Sequence, residues 1–499
     1  MGLDNIFWIR PELCLTAFAC AALIVDLVFK GRDSALVGAF SLMGLAATGV
    51  FLVLQYNEVP PAGQVFGCVA VDRFATLFKL FAVASLAFVV LFTMLSRRTE
   101  RDGFGEFYFV LLCAGLGAVF LASTYNLLMM FLGLELLSIS SYILTGYFKG
   151  NRRSGEAALK YIIFGAVASG VMLYGFTLLY GLTGSLDLVE MSRRQLLKEQ
   201  FDTSPIPISV AVSMCLAGFA YKISIAPFHF WTPDVYEGAP TPVTTFLAVA
   251  SKGSGIAAML RFLAAGFVVD PNLGIQGPMF EYGTKLGSLF AILAAVTMTL
   301  GNLAALQQTN LKRMLAYSSI AHAGYILMGV AVMNSDGFES VIFYLVAYYF
   351  MNLGAFGAII YFANTTGGEE IRDLRGLGWK SPVVGATFVI FLVALVGLPP
   401  TAGFVGKLLL FKASIAEGFA WLAVVAGVNT AISLFYYFRI VKALYLESND
   451  QSTHEPKYAS PALAFLLVIL AFGTLWFGIG PGVSQLSVYA AESQTVIAR

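Results

Sequence analysis

The chain has 499 residues, of which 58% are hydrophobic and only 12% are charged, and its mean hydropathy is +0.80. The charged share is about half that of an ordinary soluble domain. Thirty Lys and Arg residues against 29 Asp and Glu residues leave a formal net charge of +1, which provides no general attraction to polyanions. The composition excludes a water-soluble enzyme, a disordered chain and a nucleic-acid-binding protein, and it predicts an all-α integral membrane protein.

Apolar stretches long enough to cross a bilayer recur along the whole chain. A helix needs about 20 apolar residues to cross the hydrocarbon core. The fourteen predicted spans cover residues 12–29, 35–55, 74–95, 106–123, 125–147, 157–182, 207–230, 241–266, 285–306, 311–332, 338–363, 382–414, 418–444 and 461–480. The first run carries Asp26 and lacks a basic leader, so we expect a retained span rather than a cleaved signal peptide.

Positive charges are distributed unevenly between the two sets of loops. The loops after odd-numbered spans hold seventeen Lys and Arg residues, and the opposite side holds seven, namely Arg10, Arg73, Arg193, Arg194, Lys198, Lys285 and Arg499. Because Lys and Arg accumulate on the cytoplasmic side of membrane proteins, both termini are predicted to lie outside the cytoplasm. The connection 183–205 is then an external amphipathic segment.

Motifs for bound cofactors are missing from the sequence. The five cysteines are scattered, with no CxxC pair and no Cys/His cluster that would ligate zinc or an iron–sulfur cluster. No nucleotide-binding GxGxxG or GxxxxGK[ST] motif occurs in a suitable setting. We therefore expect the chain to bind no cofactor of its own.

Four charged residues lie deep inside the predicted spans. Glu135 is at the midpoint of 125–147, Lys222 and Lys252 are near the middle of their spans, and Lys407 follows a helix break. A charge at the bilayer centre costs roughly 2.5–3.5 kcal/mol, so such residues face the interior of a bundle and are usually functional. Structural pairing between helices is the alternative.

Other charges in the spans favour a simpler interpretation. Lys79, Arg261 and Lys412 lie nearer the span ends, where long basic side chains can extend to the membrane surface or contact a loop. Asp26 lies beside Lys30, and we expect a local ion pair between them.

Prolines interrupt two of the predicted spans. Pro227 lies in the seventh span and is followed by Pro233, Pro240 and Pro242, whereas Pro399 and Pro400 lie in the twelfth. Proline removes a backbone donor and unwinds a helix locally. Broken helices in corresponding halves of a transporter indicate an ion path, although a simple proline kink is the alternative for each.

Histidines and hydroxyl groups are candidates for proton relay. His229 lies beside the first break, and His322 lies on a helix with Ser318 and Ser319 one turn earlier and Tyr317 next to them. An imidazole inside a membrane can relay protons, or it can be a packing residue with satisfied hydrogen bonds. His454 lies in a polar loop and is expected to be solvated.

Four sequence segments resemble the antiporter-like subunits of respiratory complex I and of Mrp-type cation/proton antiporters. They are FLGLELLSISSYIL, SIAPFHFWTPDVYEGAPTPVTTFLAVASK, LKRMLAYSSIAHAGY and GLPPTAGFVGK, and the resemblance covers roughly residues 70–445. Within the family, RPELCLTAFACAALIVDL and RDLRGLGWKSP are most similar to the subunit N branch, which is subunit 2 of the mitochondrial enzyme. WTPDV stands where the family usually has WLPDA, which is a conservative difference.

The resemblance implies two inverted five-helix repeats, each with one broken helix. They cover residues 106–266 and 285–444, after three N-terminal spans in 1–105 and before a polar loop and last span in 445–499. It also implies roles for the buried charges: Glu135 and Lys222 form a switchable ion pair, Lys252 is the central relay and Lys407 is the terminal lysine.

The implied function is a non-redox, proton-translocating subunit of NADH:quinone oxidoreductase, so the chain is part of an enzyme without carrying a redox centre. Its partners would be other membrane-arm and peripheral-arm subunits, which would hold NADH, flavin, iron–sulfur clusters and quinone. The alternatives are a subunit of an Mrp-type Na⁺/H⁺ antiporter, a membrane-bound hydrogenase complex, or a structural scaffold. With no transit peptide before the first span, we expect a bacterial plasma membrane, the thylakoid membrane being the alternative.

Overall fold

The protein is seen in a computed structural model, and its helices dominate the described part of the chain. The structure describes residues 4–29, 34–56, 58, 64–96, 105–193, 205–266, 269–270, 275–276, 280–447 and 460–494. The strands within these ranges form two small antiparallel hairpins, β1 (Gln64–Val65) with β2 (Val69–Ala70), and β3 (Val269–Asp270) with β4 (Ile275–Gln276).

The helices of the N-terminal region and first half are α1 (Asp4–Trp8), α2 (Arg10–Val28), α3 (Ser34–Tyr56), α4 (Arg73–Met94), α5 (Gly105–Ala122), α6 (Leu127–Thr145), α7 (Arg152–Thr183), α8 (Leu188–Arg193), α9 (Pro205–Ile223), α10 (Trp231–Gly238), α11 (Thr241–Phe246) and α12 (Lys252–Gly266). A π-helical turn, Leu247–Ser251, joins α11 to α12.

The helices of the second half are α13 (Phe280–Ala305), α14 (Leu311–Ala331), α15 (Ser335–Thr366), α16 (Leu377–Lys380), α17 (Pro382–Val396), α18 (Ala402–Ala416), α19 (Ala420–Tyr445), α20 (Pro461–Trp476) and α21 (Gly480–Gln494). A short 3₁₀ helix, Ile371–Leu374, precedes α16.

The prediction of an all-α, multi-pass membrane protein is confirmed. Among the described residues, 12 helices are long and apolar enough to cross a membrane, and the number is 13 if α20 and α21, which meet at an 82° bend, count as one span. The predicted span 382–414 is divided into α17 and α18, neither of which is long enough alone. The exact total of fourteen and the two inverted repeats stay predictions.

Three helical runs form the interior of the bundle. Thr241–Ala265 is buried throughout its most apolar stretch, and the corresponding stretches of α14 and α15 are 94% and 89% buried, against 33% for α2. A helix surrounded by other helices can carry polar groups without exposing them to lipid. Polar and charged side chains that act within the membrane are therefore expected on these three interior helical segments.

Lys79 neither extends to the membrane surface nor contacts a loop, so the expectation was wrong for it, whereas Arg261 makes the expected loop contact, with Asp72. Lys79 Nζ lies 2.5 Å from Glu12 Oε1, and both side chains are buried between α2 and α4. Arg261 is fully buried and binds Asp72 through two hydrogen bonds of 2.7 and 2.9 Å. Both bases lie next to acids from distant parts of the sequence, and pairing makes their burial possible.

Several charges from the sequence analysis cannot be compared with the structure. Lys30, the expected partner of buried Asp26, and His454 lie outside the described residues, as do 194–204 of the predicted external segment. Lys412 is exposed, in agreement with a position near the end of a span.

Candidate functional site

The first helix break follows directly after Lys222. Helix α9 ends at Ile223 and α10 begins at Trp231, with Pro227 in the connection. The unwound segment is held by side chains: Trp231 Nε1 donates to Tyr221 O at 3.1 Å, and the Ala226 amide donates to Thr297 Oγ1 at 3.1 Å. Unwound backbone at membrane depth requires such partners, and here α10 and α13 supply them.

Lys222 lies at the end of α9 rather than in the middle of a continuous span. Its side chain is 2% exposed, and Nζ donates a hydrogen bond of 3.1 Å to Ser138 Oγ on α6. Glu135 lies one turn before Ser138 on α6, and its Oε1 is buried without a hydrogen-bond partner. Lys222 is therefore bonded to a neutral hydroxyl next to the carboxylate, and the switchable Glu135–Lys222 pair stays a prediction.

The stem of Lys222 packs against a glycine of the central helix. A Cβ at Gly255 would lie 3.0 Å from Lys222 Cγ and 3.5 Å from its Cβ. The missing side chain of Gly255 therefore leaves space for the lysine beside α12.

We expect Gly255→Ala to displace the Lys222 side chain by a few tenths of an ångström. Because proton transfer depends on hydrogen-bond distance, proton pumping by the assembled complex should fall several-fold. Gly427→Ala is the matched control, since a Cβ there meets nothing within 4 Å. Equal pumping by both variants would contradict a positioning role for Gly255.

Lys252 lies at the join between the π-helical turn and α12. It is 1% exposed, and Nζ donates to Ser319 Oγ at 2.5 Å and to Ser319 O at 2.9 Å. Ser319 Oγ also hydrogen-bonds the Tyr348 hydroxyl at 2.8 Å. π-helical turns often occur at functional sites, and Lys252 here connects the first half of the chain to α14 and α15 of the second.

His322 is surrounded by tyrosine hydroxyls. It is 2% exposed; Nδ1 lies 2.6 Å from the Tyr344 hydroxyl, and Nε2 lies 3.4 Å from that of Tyr437. The Tyr437 hydroxyl also hydrogen-bonds Ser318. The His322 ring lies 5.4 Å from the ring of Tyr348, whose hydroxyl bonds Ser319, the partner of Lys252.

The second helix break places a lysine against the end of a helix. Helix α17 ends at Val396 and α18 begins at Ala402, with Pro399 and Pro400 between them. Lys407 Nζ, on a side chain that is 3% exposed, donates to Val396 O at 2.8 Å. Cations are favoured at the carbonyl end of a helix, so the break itself creates the binding position for this ammonium group.

Aromatic and hydroxyl groups join Lys407 to His322. Lys407 Nζ lies 4.2 Å from the centre of the Tyr325 ring and 3.4 Å from Thr430 Oγ1. The Tyr325 hydroxyl lies 3.1 Å from Thr430 Oγ1, and the Tyr325 ring lies 6.0 Å from His322. Lys252, His322 and Lys407 thus belong to one continuous polar region.

Sequence reasoning missed most of the tyrosines in this region. Tyr344 and Tyr348 are one turn apart on α15, and both face α14. The spacing of tyrosines in FYLVAYYF was the available signal. It is weak because large aromatic residues are common in any membrane helix.

Two of the candidate relay residues lie apart from the lysines. His229 is half-buried and stacks on Phe230, with ring centres 4.6 Å apart. Tyr317 is half-buried, and Arg313 lies 6.0 Å from its ring centre. The structure gives neither of them a hydrogen bond to the buried lysines within the described ranges.

A large polar cavity opens at the end of the bundle that the loop charges predict to be cytoplasmic. Its volume is about 1530 Å³, and its lining includes Glu106, Tyr142, Arg153, Lys312 and Glu369. Lys312 Nζ lies 3.2 Å from Glu369 Oε2 at this opening. Tyr142 is on the same helix as Glu135 and Ser138, two turns and one turn after them, so the cavity reaches to within one turn of Ser138, the partner of Lys222.

The described part of the chain shows no candidate metal site. There, no group of three or more His, Cys, Asp or Glu side chains is placed to hold a metal ion.

Comparison with known proteins agrees with this arrangement. The sequence model described as NADH:quinone oxidoreductase/Mrp antiporter, transmembrane, matches residues 124–433. The chain belongs to this family. It is 43% identical to NADH-quinone oxidoreductase subunit N of Chlorobium chlorochromatii over 491 residues, which cover 97% of this chain and 94% of that protein.

Solved structures show the same fold. A chain of respiratory complex I from Thermus thermophilus superposes with a TM-score of 0.78 at 33% identity, covering 96% of this chain and 99% of that one. A chain of the Mrp complex from Dietzia sp. has a TM-score of 0.81 and covers 100% of this chain and 98% of that one, at 21% identity. At that identity, the Mrp chain establishes the shared fold alone.

Proposed function

We propose that this chain is a non-redox, proton-translocating membrane-arm subunit of an NADH:quinone oxidoreductase. One observation carries the proposal: three buried lysines and a buried histidine are bonded to hydroxyls and carbonyls at membrane depth. Lys222 donates to Ser138, Lys252 donates to Ser319 and Lys407 donates to the Val396 carbonyl, and His322 hydrogen-bonds the Tyr344 hydroxyl. The similarity to subunit N along nearly the whole chain supports the choice of complex.

The mechanism is electrostatic. Burial disfavours the charged form of a lysine, and a nearby carboxylate favours it. When Glu135 moves away from Lys222, the ammonium group becomes a better proton donor and passes its proton toward Lys252. The proton then continues through His322 to Lys407. Moving one charge against 100 mV costs about 2.3 kcal/mol, which electron transfer in partner subunits supplies.

The partners and location follow from this role. NADH, flavin, iron–sulfur clusters and quinone would be bound by the other membrane-arm and peripheral-arm subunits. The chain would lie in a bacterial plasma membrane with both termini on the non-cytoplasmic side. The polar cavity beside Tyr142 and Lys312 would then take up protons from the cytoplasm.

Lys222→Ala tests the proposal in the whole complex. We expect proton pumping into sealed vesicles, and the NADH oxidation coupled to it, to be strongly reduced, because the first donor is removed. The measurement is the quench of a pH-sensitive dye after NADH addition, together with a check of subunit content. Lys412→Ala is the control, since Lys412 is exposed. Normal pumping by an intact Lys222→Ala complex would favour a structural scaffold instead.

An Mrp-type Na⁺/H⁺ antiporter subunit is the second candidate, because the matching family includes such proteins and the Dietzia chain has the same fold. A gene neighbourhood with flavin and iron–sulfur subunits would support the oxidoreductase, and one with small Mrp subunits would support the antiporter. An adjacent nickel-site large subunit would indicate a membrane-bound hydrogenase complex. Sodium-dependent proton exchange by vesicles without NADH would also favour the antiporter.

A further inference from the structure

Among the described residues, two tyrosine hydroxyls in the interior lack a hydrogen-bond partner. They belong to Tyr161 on α7 and Tyr236 on α10, and both side chains are 0% exposed. Leaving a buried donor or acceptor unsatisfied costs about 1–3 kcal/mol, and most buried polar atoms in proteins are paired. An unpaired phenol at such a place is therefore a candidate for a functional group.

Tyr161 lies among the aromatic residues near Lys222. Its ring packs edge-on against Tyr142 at 4.7 Å and stacks on Trp231 at 4.5 Å. A Cβ at Gly165 would collide with the Tyr142 hydroxyl and lie 3.0 Å from the Tyr221 hydroxyl, so these two hydroxyls meet beside α7. Tyr142 follows Ser138, the partner of Lys222, by one turn on α6.

Tyr236 lies between this aromatic group and Lys252. Its ring centre is 6.5 Å from that of Trp231, the residue on which Tyr161 stacks. Its hydroxyl is close to that of Ser319 without a completed hydrogen bond. Ser319 is the residue that binds Lys252 Nζ, so Tyr236 joins the aromatic group around Trp231 to the residue that holds Lys252.

Short helix α10 fixes Tyr236 in this place through its backbone. The Tyr236 carbonyl accepts a hydrogen bond of 3.0 Å from Thr244 Oγ1 on α11, and the side chain packs against Phe356, with ring centres 6.3 Å apart. These two contacts fix the position of the Tyr236 ring, and the hydroxyl remains available for proton transfer.

We propose that the Tyr236 hydroxyl relays protons between Lys222 and Lys252, with Tyr161 as the preceding hydroxyl. A phenol has one donor and can also accept. It takes a proton onto an oxygen lone pair from the Lys222 side and releases its own proton toward Ser319 and Lys252. Neither its charge nor its covalent structure changes. This inference rests on the proposed function.

Tyr236→Phe separates this role from a structural one. The substitution removes a single oxygen that makes no hydrogen bond, so packing and thermal stability should be unchanged or slightly improved. Proton pumping by the assembled complex should nevertheless fall by roughly tenfold or more, as when a positioned proton-transfer group is removed. Tyr349→Phe is the control, because Tyr349 is a buried tyrosine that packs on Phe81 and Phe88 instead.

The outcomes distinguish the relay from the function on which it rests. Normal pumping by Tyr236→Phe, with pumping lost in Lys222→Ala, would overturn the relay and leave the proposed function standing. Normal pumping by both variants would overturn the proposed function itself. If Tyr236→Phe fails to assemble, Tyr161→Phe decides: lost pumping in an intact complex supports the hydroxyl path, and normal pumping contradicts it.

Discussion

Replacing Lys252 with methionine is expected to abolish coupled proton pumping while the complex still assembles. The Lys252 ammonium group binds Ser319 on α14, the helix of the second half that also carries His322. Methionine has a similar length and cannot carry a proton. Loss of the lysine therefore interrupts the proposed proton path at its centre rather than at one end.

Retained assembly follows from the partners of Lys252. They are the neutral hydroxyl and carbonyl of Ser319, so removing the lysine leaves no carboxylate unpaired. The Ser319 hydroxyl keeps its hydrogen bond to Tyr348. Replacing a buried charge by an apolar side chain of similar volume is often neutral or stabilising.

The measurement for Lys252→Met combines vesicle pumping, NADH oxidation and the subunit content of the purified complex. Lys412→Met provides the same chemical change at an exposed position and should behave as the unmodified complex does. Substantial pumping by Lys252→Met, with assembly intact, would show that protons pass between the two halves without this lysine.

Arg261→Ala is expected to be the most destabilising single substitution of a buried charge. Arg261 binds Asp72 through two hydrogen bonds, and its Nε donates to Ala122 O at 2.9 Å. Its guanidinium also lies over the rings of Phe74 and Tyr125, at 4.8 and 4.6 Å. Alanine would leave the Asp72 carboxylate buried without its counter-ion, which costs about 3–5 kcal/mol.

Loss of this pair should also weaken the start of α4. Asp72 is the N-cap residue of α4 and accepts a hydrogen bond of 2.6 Å from the Ala75 amide. The expected result is a lower unfolding temperature in detergent and less protein in the membrane. Arg261→Met combined with Asp72→Asn removes both charges and keeps a capping side chain, so it should regain much of the loss. A single Arg261→Ala chain as stable as the unmodified one would contradict this account.

Hydropathy by itself determined the membrane character of the chain and singled out its deeply placed charges as candidates for function. The reason is that the bilayer constrains local sequence strongly. A span must be apolar for about 20 residues, and a charge within it is costly unless it faces the interior of the bundle, where it is usually paired or functional. Glu135, Lys222, Lys252 and Lys407 were identified on this basis alone. The resemblance of the motifs around them to the family implied roles for the same residues, and those roles stay predictions.

The same local rule failed for Lys79, and for Arg261 it did not predict the full burial of the side chain. Their depth was judged from distance to a span end, whereas their burial depends on which helices surround them. Arg261 binds a residue 189 positions earlier, and the acid that pairs with Lys79 comes from α2. Hydropathy contains no information on such distant partners.

The sequence by itself determined a multi-pass helical protein of this family, with prolines in two spans and titratable side chains at membrane depth. Only the tertiary structure decided what those side chains bind. It placed Lys222 against Ser138, Lys252 against Ser319 and Lys407 against the end of α17, and it left the hydroxyl of Tyr236 unpartnered. Hydrogen bonds extend only about 3 Å, so a proton path depends on contacts between helices that are far apart in sequence.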